Sequence, residues 1–302
     1  MHTSAQSRAA NAAASDSAAA PAPPFWLWWN LLSADAPAVA IAWAALFARS
    51  RGVSLPASHF LTLALIVWLI YLADRILDAQ RASNASVLKP RHLFSARHRS
   101  VLLAVIALGA ALAGWLIREE LSPLEIRAGL VLGAIVGLYM LGVHLPGEAL
   151  RRFLPKEIAV GLLFAAGTML PVWTHAAVFS GAPAAMAITR WMLFALLCSL
   201  NCIAIECWES ISSRSDQERS SSFFSWCDSR LSALAAGLVV LCCVAAAAWR
   251  TPSAAIPATT VGAAALLTWL LNSQRARLSA SALRVLADGA LLLPALIALS
   301  RF

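Results

Sequence analysis

FLTLALIVWLIYLADRILD, Phe60 to Asp78, is the stretch on which the fold turns. It carries no charge before Asp74, and through Leu77 it has the roughly 17 to 25 residues needed to cross a hydrocarbon core as a helix. Its end is unusual. Asp74 and Asp78 lie where the helix macrodipole is already negative and where a bilayer makes charge expensive, so acids kept there point to a bound cation or a positively charged substrate group. A second apolar stretch ends the same way, in NCIAIECWE, Asn201 to Glu209.

Composition extends this reading to the whole chain. Of 302 residues, 60% are hydrophobic and 13% are charged, with a mean hydropathy of +0.74; an ordinary soluble domain carries about 25% charged residues. The expectation is an all-α polytopic membrane bundle of about nine transmembrane helices. The spans are read as Ala36 to Phe47 (extended back toward Trp26), Phe60 to Leu77, Val101 to Ile117, Ala128 to His144, Ile158 to Phe179, Trp191 to Trp208, Leu231 to Trp249, Ala255 to Leu271 and Leu283 to Ser300. In the first, Asp35 reads as an N-cap and Pro37 as a first-turn proline, with Trp26, Trp28 and Trp29 forming an interfacial aromatic belt. Residues 1–24, rich in Ala, Ser and Pro, read as a disordered cytoplasmic tail ahead of a transmembrane domain at 25–302. They lack the apolar core of a secretory signal.

Basic residues orient the bundle. With the N-terminus inside, 16 of the 23 Lys and Arg fall in the tail and the connections after the even-numbered helices. That excess predicts a cytoplasmic N-terminus in a cell inner membrane, and it brings the acidic ends of helices two and six to the same surface. The net charge of +8 is spread over loops without interleaved aromatics, which argues against a nucleic-acid partner. The six cysteines form no CxxC and read as small apolar side chains, not a disulfide framework.

The acidic clusters suit a hard cation. Asp74 and Asp78, four apart, share a helix face and repel by a few tenths of a kcal/mol unless something positive intervenes. Mg2+ is commonly held by one or two carboxylates plus substrate phosphates; the plainer alternative pairs Arg75 and Arg81 with Asp78. The following loop carries Arg81, Lys89 and Arg91, with His92 and His98 among its basic residues. It has the chemistry to grip a diphosphate, or it is simply a topogenic loop. In the second cluster Glu206 and Glu209 lie three apart, with Asn201 deeper and Asp216 and Glu218 beyond. Arg284 and Asp288 are expected to neutralise each other at four-residue spacing, and Lys156 and Glu157 to open helix five at the headgroups.

Taken together, these features resemble the UbiA-type intramembrane prenyltransferases over residues 30–302. That family carries Asn-Asp-x-x-Asp-x-x-x-Asp on helix two and a second Asp-rich motif on helix six. Here Ile70 and Tyr71 stand at the Asn and first Asp positions, Asp74, Arg75 and Asp78 keep the pattern, and Asn201, Glu206 and Glu209 lie near the second motif. The resemblance implies a transferase moving a prenyl group from a polyprenyl diphosphate to a lipophilic or aromatic acceptor. Asp74, Asp78, Glu206 and Glu209 would hold Mg2+, and Tyr71, Arg75, Arg81, Lys89, Arg91 and Asn201 would contact substrate. The departures leave a non-catalytic isoprenoid- or partner-binding relative as an alternative, and an ion-coupled transporter as another. No P-loop, HExxH or GxSxG is present, which disfavours nucleotide hydrolysis, zinc proteolysis and serine hydrolysis.

Overall fold

The computed structural model describes residue 30 and residues 32–82, 98–144, 155–175, 182–212, 222–249 and 251–302. The tail, the tryptophan belt, Lys89, Arg91, His92, Asp216 and Glu218 lie outside the described residues. Those described form nine helices and no strand: α1 Asp35–Ser50, α2 Ala57–Ala82, α3 Arg99–Glu120, α4 Pro123–His144, α5 Lys156–His175, α6 Ala182–Ser212, α7 Ser222–Ala248, α8 Pro252–Ser273 and α9 Ala280–Leu299. Eight of them, α2 to α9, are long and apolar enough to cross a membrane, the pattern of a multi-pass membrane protein. The exception is α1, whose expected span runs back toward Trp26, outside the described residues. With 16 residues, α1 is about 24 Å long, short of a ~30 Å hydrocarbon core.

Local chemistry sets the helix ends. Gly52 adopts φ +66°, and the Gly52 and Val53 amides donate to the carbonyls of Arg49 and Ala48, closing α1 in a left-handed C-terminal turn that glycine enters without steric cost. Ser122 and Glu125 cap α4 reciprocally: the Ser122 amide donates to Glu125 Oε2 at 2.8 Å and the Glu125 amide to Ser122 Oγ at 3.3 Å, with Pro123 at the first helical position. The N-cap of α1 is Ala34, so Asp35 is a first-turn residue and not the cap expected from sequence. Its carboxylate instead accepts from Asn30 Nδ2 at 2.7 Å and from the Ala36 amide at 3.0 Å.

Burial ranks the helices. The α6 span is 61% buried and that of α8 50%, whereas those of α3 and α4 are 17% and 6% buried; α6 is therefore the hub, and α3 and α4 present Leu108, Trp115, Leu130 and Leu138 outward, as lipid-facing helices do. Trp43 of α1 is fully enclosed and stacks on Phe194 of α6 at 4.5 Å between ring centroids. Its indole donates to the Leu291 carbonyl at 3.0 Å, within the turn of α9 that Pro294 loosens by lacking an amide proton. All six cysteines are free; Cys198, Cys207, Cys227 and Cys242 are buried as expected, and Cys243 is exposed.

Gly161 sets the α5 to α6 distance. A Cβ there would meet the Ser199 amide nitrogen at 2.6 Å and the Ala195 carbonyl at 2.9 Å, backbone atoms that cannot turn aside. Small residues at such crossings let membrane helices approach closely. Gly161→Val is therefore expected to destabilise the bundle by about 1 to 3 kcal/mol, lowering the thermal midpoint in detergent. Gly114→Ala, where nothing lies within 4 Å, is expected to leave it unchanged or slightly raised.

Candidate functional site

Polar side chains collect at one end of the bundle, where α2, α4 and α6 finish and α1, α5 and α9 begin. Asp74 and Asp78 lie one turn apart on α2 and converge on Lys156, which opens α5: its Nζ is 3.7 Å from Asp74 Oδ1 and 3.6 Å from Asp78 Oδ2. Both contacts exceed the ~2.7 to 2.9 Å of a charge-assisted hydrogen bond, and all three side chains are about a third exposed. The pair thus grips one cation loosely, open to water. Lys156, which the sequence reading placed at the headgroups, is thus a cation shared by the two aspartates. Arg75 itself is buried, and the Arg81 side chain lies outside the described residues.

A second, tighter group lies beside the first. Arg284 Nη1 donates to Glu209 Oε1 at 2.8 Å, with the two side chains 22% and 11% exposed. Arg284 also feels the charges of Asp288 and Asp35. Its expected partner was Asp288, four residues on, but α6 delivers a carboxylate at hydrogen-bond distance and takes the head group. Asp288 also lies in electrostatic range of Asp35. Asn201 Nδ2 reaches Asp288 Oδ1 at 3.5 Å. Tyr71 packs on Phe164 and lies in electrostatic range of Cys202, Asp35 and Asp288.

Cys202 of α6 connects the two groups, being in electrostatic range of Lys156 and Glu157 on one side and Arg284 and Asp288 on the other. No hydrogen bond or ion pair among the described residues joins Glu206 or Glu209 to Asp74 or Asp78. Glu206 is half-buried and makes no ion pair among the described residues. Two buried atoms at this end, Asn201 Oδ1 and Arg284 Nε, have no hydrogen-bond partner among the described residues. Asp35 and Lys156 are the participants that sequence reasoning left as a helix cap and a headgroup residue. Their signal was topological: both begin helices at the end where α2 and α6 finish.

No family model, curated protein or solved structure matches the chain. The site is therefore argued from its own geometry. Six acids, Asp35, Asp74, Asp78, Glu157, Glu209 and Asp288, are grouped there with the cations Lys156 and Arg284. Arg75, buried beside Asp74 on α2, is a third cation of this end.

At the opposite end the chemistry differs. His59 near the start of α2, Glu125 in the first turn of α4 and His175 at the end of α5 meet, with His59 Nε2 2.9 Å from Glu125 Oε1. Nearby in chain terms, Arg190 of α6 is buried, donates to the Ala254 carbonyl at 3.1 Å and lies over the Trp249 ring at 5.4 Å. None of these residues was singled out from sequence.

Proposed function

We propose that the protein is an integral membrane transferase that takes a prenyl group from a polyprenyl diphosphate to a lipophilic or aromatic acceptor, with Mg2+ held at the acidic end of the bundle. The reading rests on one observation, the convergence of Asp74 and Asp78 on a single shared cation at the mouth of an apolar bundle. An ammonium already sits where a metal would, and two monodentate carboxylates with open water access suit Mg2+ better than a closed protein cage. The count of basic residues assigns this end to the cytoplasm, where soluble diphosphates are met.

In this reading Asp74 and Asp78 hold Mg2+, with Glu206 the further candidate from α6. Mg2+ supplies Lewis-acid stabilisation of the departing diphosphate. Lys156, freed from the carboxylates, and Arg284, through its unpaired Nε, present donors to the phosphate oxygens. The allylic carbon to oxygen bond breaks with its electron pair leaving on the diphosphate, the acceptor nucleophile bonds to that carbon, and the acceptor proton is lost to solvent or a carboxylate. The apolar helices exclude water from the allylic centre and seat the isoprenoid chain.

Tyr71 stands where a third carboxylate would be expected from the family resemblance. On α2 three residues before Asp74 and in electrostatic range of Asp35, its hydroxyl is assigned to hydrogen-bond the diphosphate or acceptor. Tyr71→Phe is expected to lower turnover roughly 10-fold or more, the loss of one hydrogen bond to a charged group. Unchanged kinetics would remove Tyr71 from the reaction.

One observation favours a second reading, a non-catalytic isoprenoid-binding relative. Glu209 is engaged by Arg284 at 2.8 Å in a largely buried pair, which leaves α6 poorer in ligands than α2. The two readings separate in one assay. Protein in lipid with Mg2+, labelled polyprenyl diphosphates and a panel of aromatic and lipophilic acceptors releases diphosphate in the first and only binds the lipid in the second.

A further inference from the structure

The geometry points to a site for a borderline divalent ion of the Zn2+ class formed by His59, Glu125 and His175, at the end of the bundle opposite the acidic cluster. One ligand atom from each residue lies within 4.8 Å of the others. Tetrahedral Zn2+ with bonds near 2.0 to 2.1 Å places its ligand atoms roughly 3.3 Å apart. Glu125 Oε1 is 2.9 Å from His59 Nε2 and 3.5 Å from His175 Nδ1, distances that bracket this spacing. The rings of His59 and His175 meet edge to face with centroids 4.9 Å apart, so both nitrogens approach one carboxylate oxygen from different directions.

The second observation is an unpaired atom. His59 is 94% buried, being 6% exposed, and its Nε2 has no hydrogen bond among the described residues although Glu125 Oε1 is in contact range. The distance is that of a hydrogen bond, but the direction is not. A buried imidazole nitrogen without a well-directed hydrogen bond is costly. Of the flanking contacts, Glu125 Oε2 is fixed by the Ser122 amide, while His175 Nδ1 lies 2.9 Å from the Pro171 carbonyl, a hydrogen bond that this nitrogen gives up when it is the one that takes the ion. A set of two imidazoles and one carboxylate favours Zn2+, Co2+, Ni2+ or Cu2+ over Mg2+, whose preference is for oxygen.

What the ion would do follows from which helices supply ligands. α4 is nearly all outward-facing and packs on α5, and α2 meets α5 over a narrow strip. Ligands from α2, α4 and α5 staple these three together at one membrane surface. The His175 side chain is 30% exposed, so the fourth position opens to water.

The test uses full-length protein carrying no polyhistidine tag, in lipid nanodiscs, stripped with chelator and titrated with Co2+. Visible ligand-field absorption reports coordination, Zn2+ displaces it, and thermal unfolding is followed with and without Zn2+. The expected result is one Co2+ per chain, displaced by one Zn2+, with a Zn2+-dependent rise in thermal midpoint. His175→Ala, at an exposed helix end, and His59→Ala are each expected to weaken binding roughly 100-fold or more, since even a supporting residue commonly contributes 10- to 100-fold, and to abolish the rise. Wild-type protein that takes up no Co2+, or a His175→Ala protein of wild-type thermal midpoint that binds it unchanged, overturns the site. Neither outcome bears on diphosphate release, which belongs to the other end.

Discussion

If the proposed function holds, Asp74→Asn combined with Asp78→Asn is expected to reduce Mg2+-dependent diphosphate release by at least about 100-fold, because both proposed Mg2+ ligands lose their charge and several kcal/mol of Lewis-acid stabilisation are at stake. Loss of the Lys156 contacts should by itself cost little stability. The two contacts with Lys156 exceed hydrogen-bond length and are a third exposed, a setting in which an ion pair contributes little to stability. Each single variant is expected to fall between wild type and the double variant. Lys156→Met separates the roles within the cluster: without its ammonium the carboxylates repel, so Mg2+ binds at least as well while prenyl diphosphate binds more weakly. The measurement is labelled diphosphate release against Mg2+ and substrate concentration in lipid. Equal release by the double variant and wild type removes α2 from the chemistry.

Arg284→Leu is expected to destabilise the protein by about 3 to 5 kcal/mol, the cost of breaking a largely buried ion pair. Glu209, 11% exposed, then loses its 2.8 Å ion pair, and Asp288 and Asp35 lose the cation that both of them feel. Arg284→Leu with Glu209→Leu should recover much of the loss, since replacing a whole buried ion pair by apolar side chains is often close to neutral. Thermal or denaturant unfolding in detergent, arranged as a double-mutant cycle, reads the coupling. A single Arg284→Leu protein within ~0.5 kcal/mol of wild type would show that the pair closes nothing.

Helices were more legible than contacts. Long apolar runs such as Phe60 to Leu77 announce themselves because a membrane demands length and continuity, and eight of the nine expected spans have both. Boundaries were less readable. The α6 helix runs 31 residues, from Ala182 to Ser212, because its polar last turns are held by neighbours and not by lipid: Trp208 donates to Asn272 Oδ1 at 3.0 Å and Glu209 meets Arg284. Asp35 reads locally as a cap, yet the side chain it answers to is Asn30, and the fold then brings Asp288 to it from more than 250 positions away.

Charge partners were the least readable feature. Spacing rules find pairs within one helix, such as Arg284 with Asp288, but a helix packed against others is also offered partners from elsewhere in the chain. Lys156 and Glu209 are those partners. The His59, Glu125 and His175 set is hidden for the same reason, being scattered over three helices with no local motif. Its one sequence trace is Ser-Pro-Leu-Glu at 122 to 125, which reads as a helix start and gives no hint that the capping glutamate has a second carboxylate oxygen turned to two imidazoles.

Equilibrium binding of a radiolabelled polyprenyl diphosphate to the protein in nanodiscs, beside the matching prenyl alcohol, tests the acidic end directly. The account predicts saturable binding of the diphosphate that needs Mg2+, is at least about 10-fold tighter than that of the alcohol, and is lost in the Asp74→Asn, Asp78→Asn protein. Equal affinity for alcohol and diphosphate, or binding indifferent to both Mg2+ and the two aspartates, would contradict it.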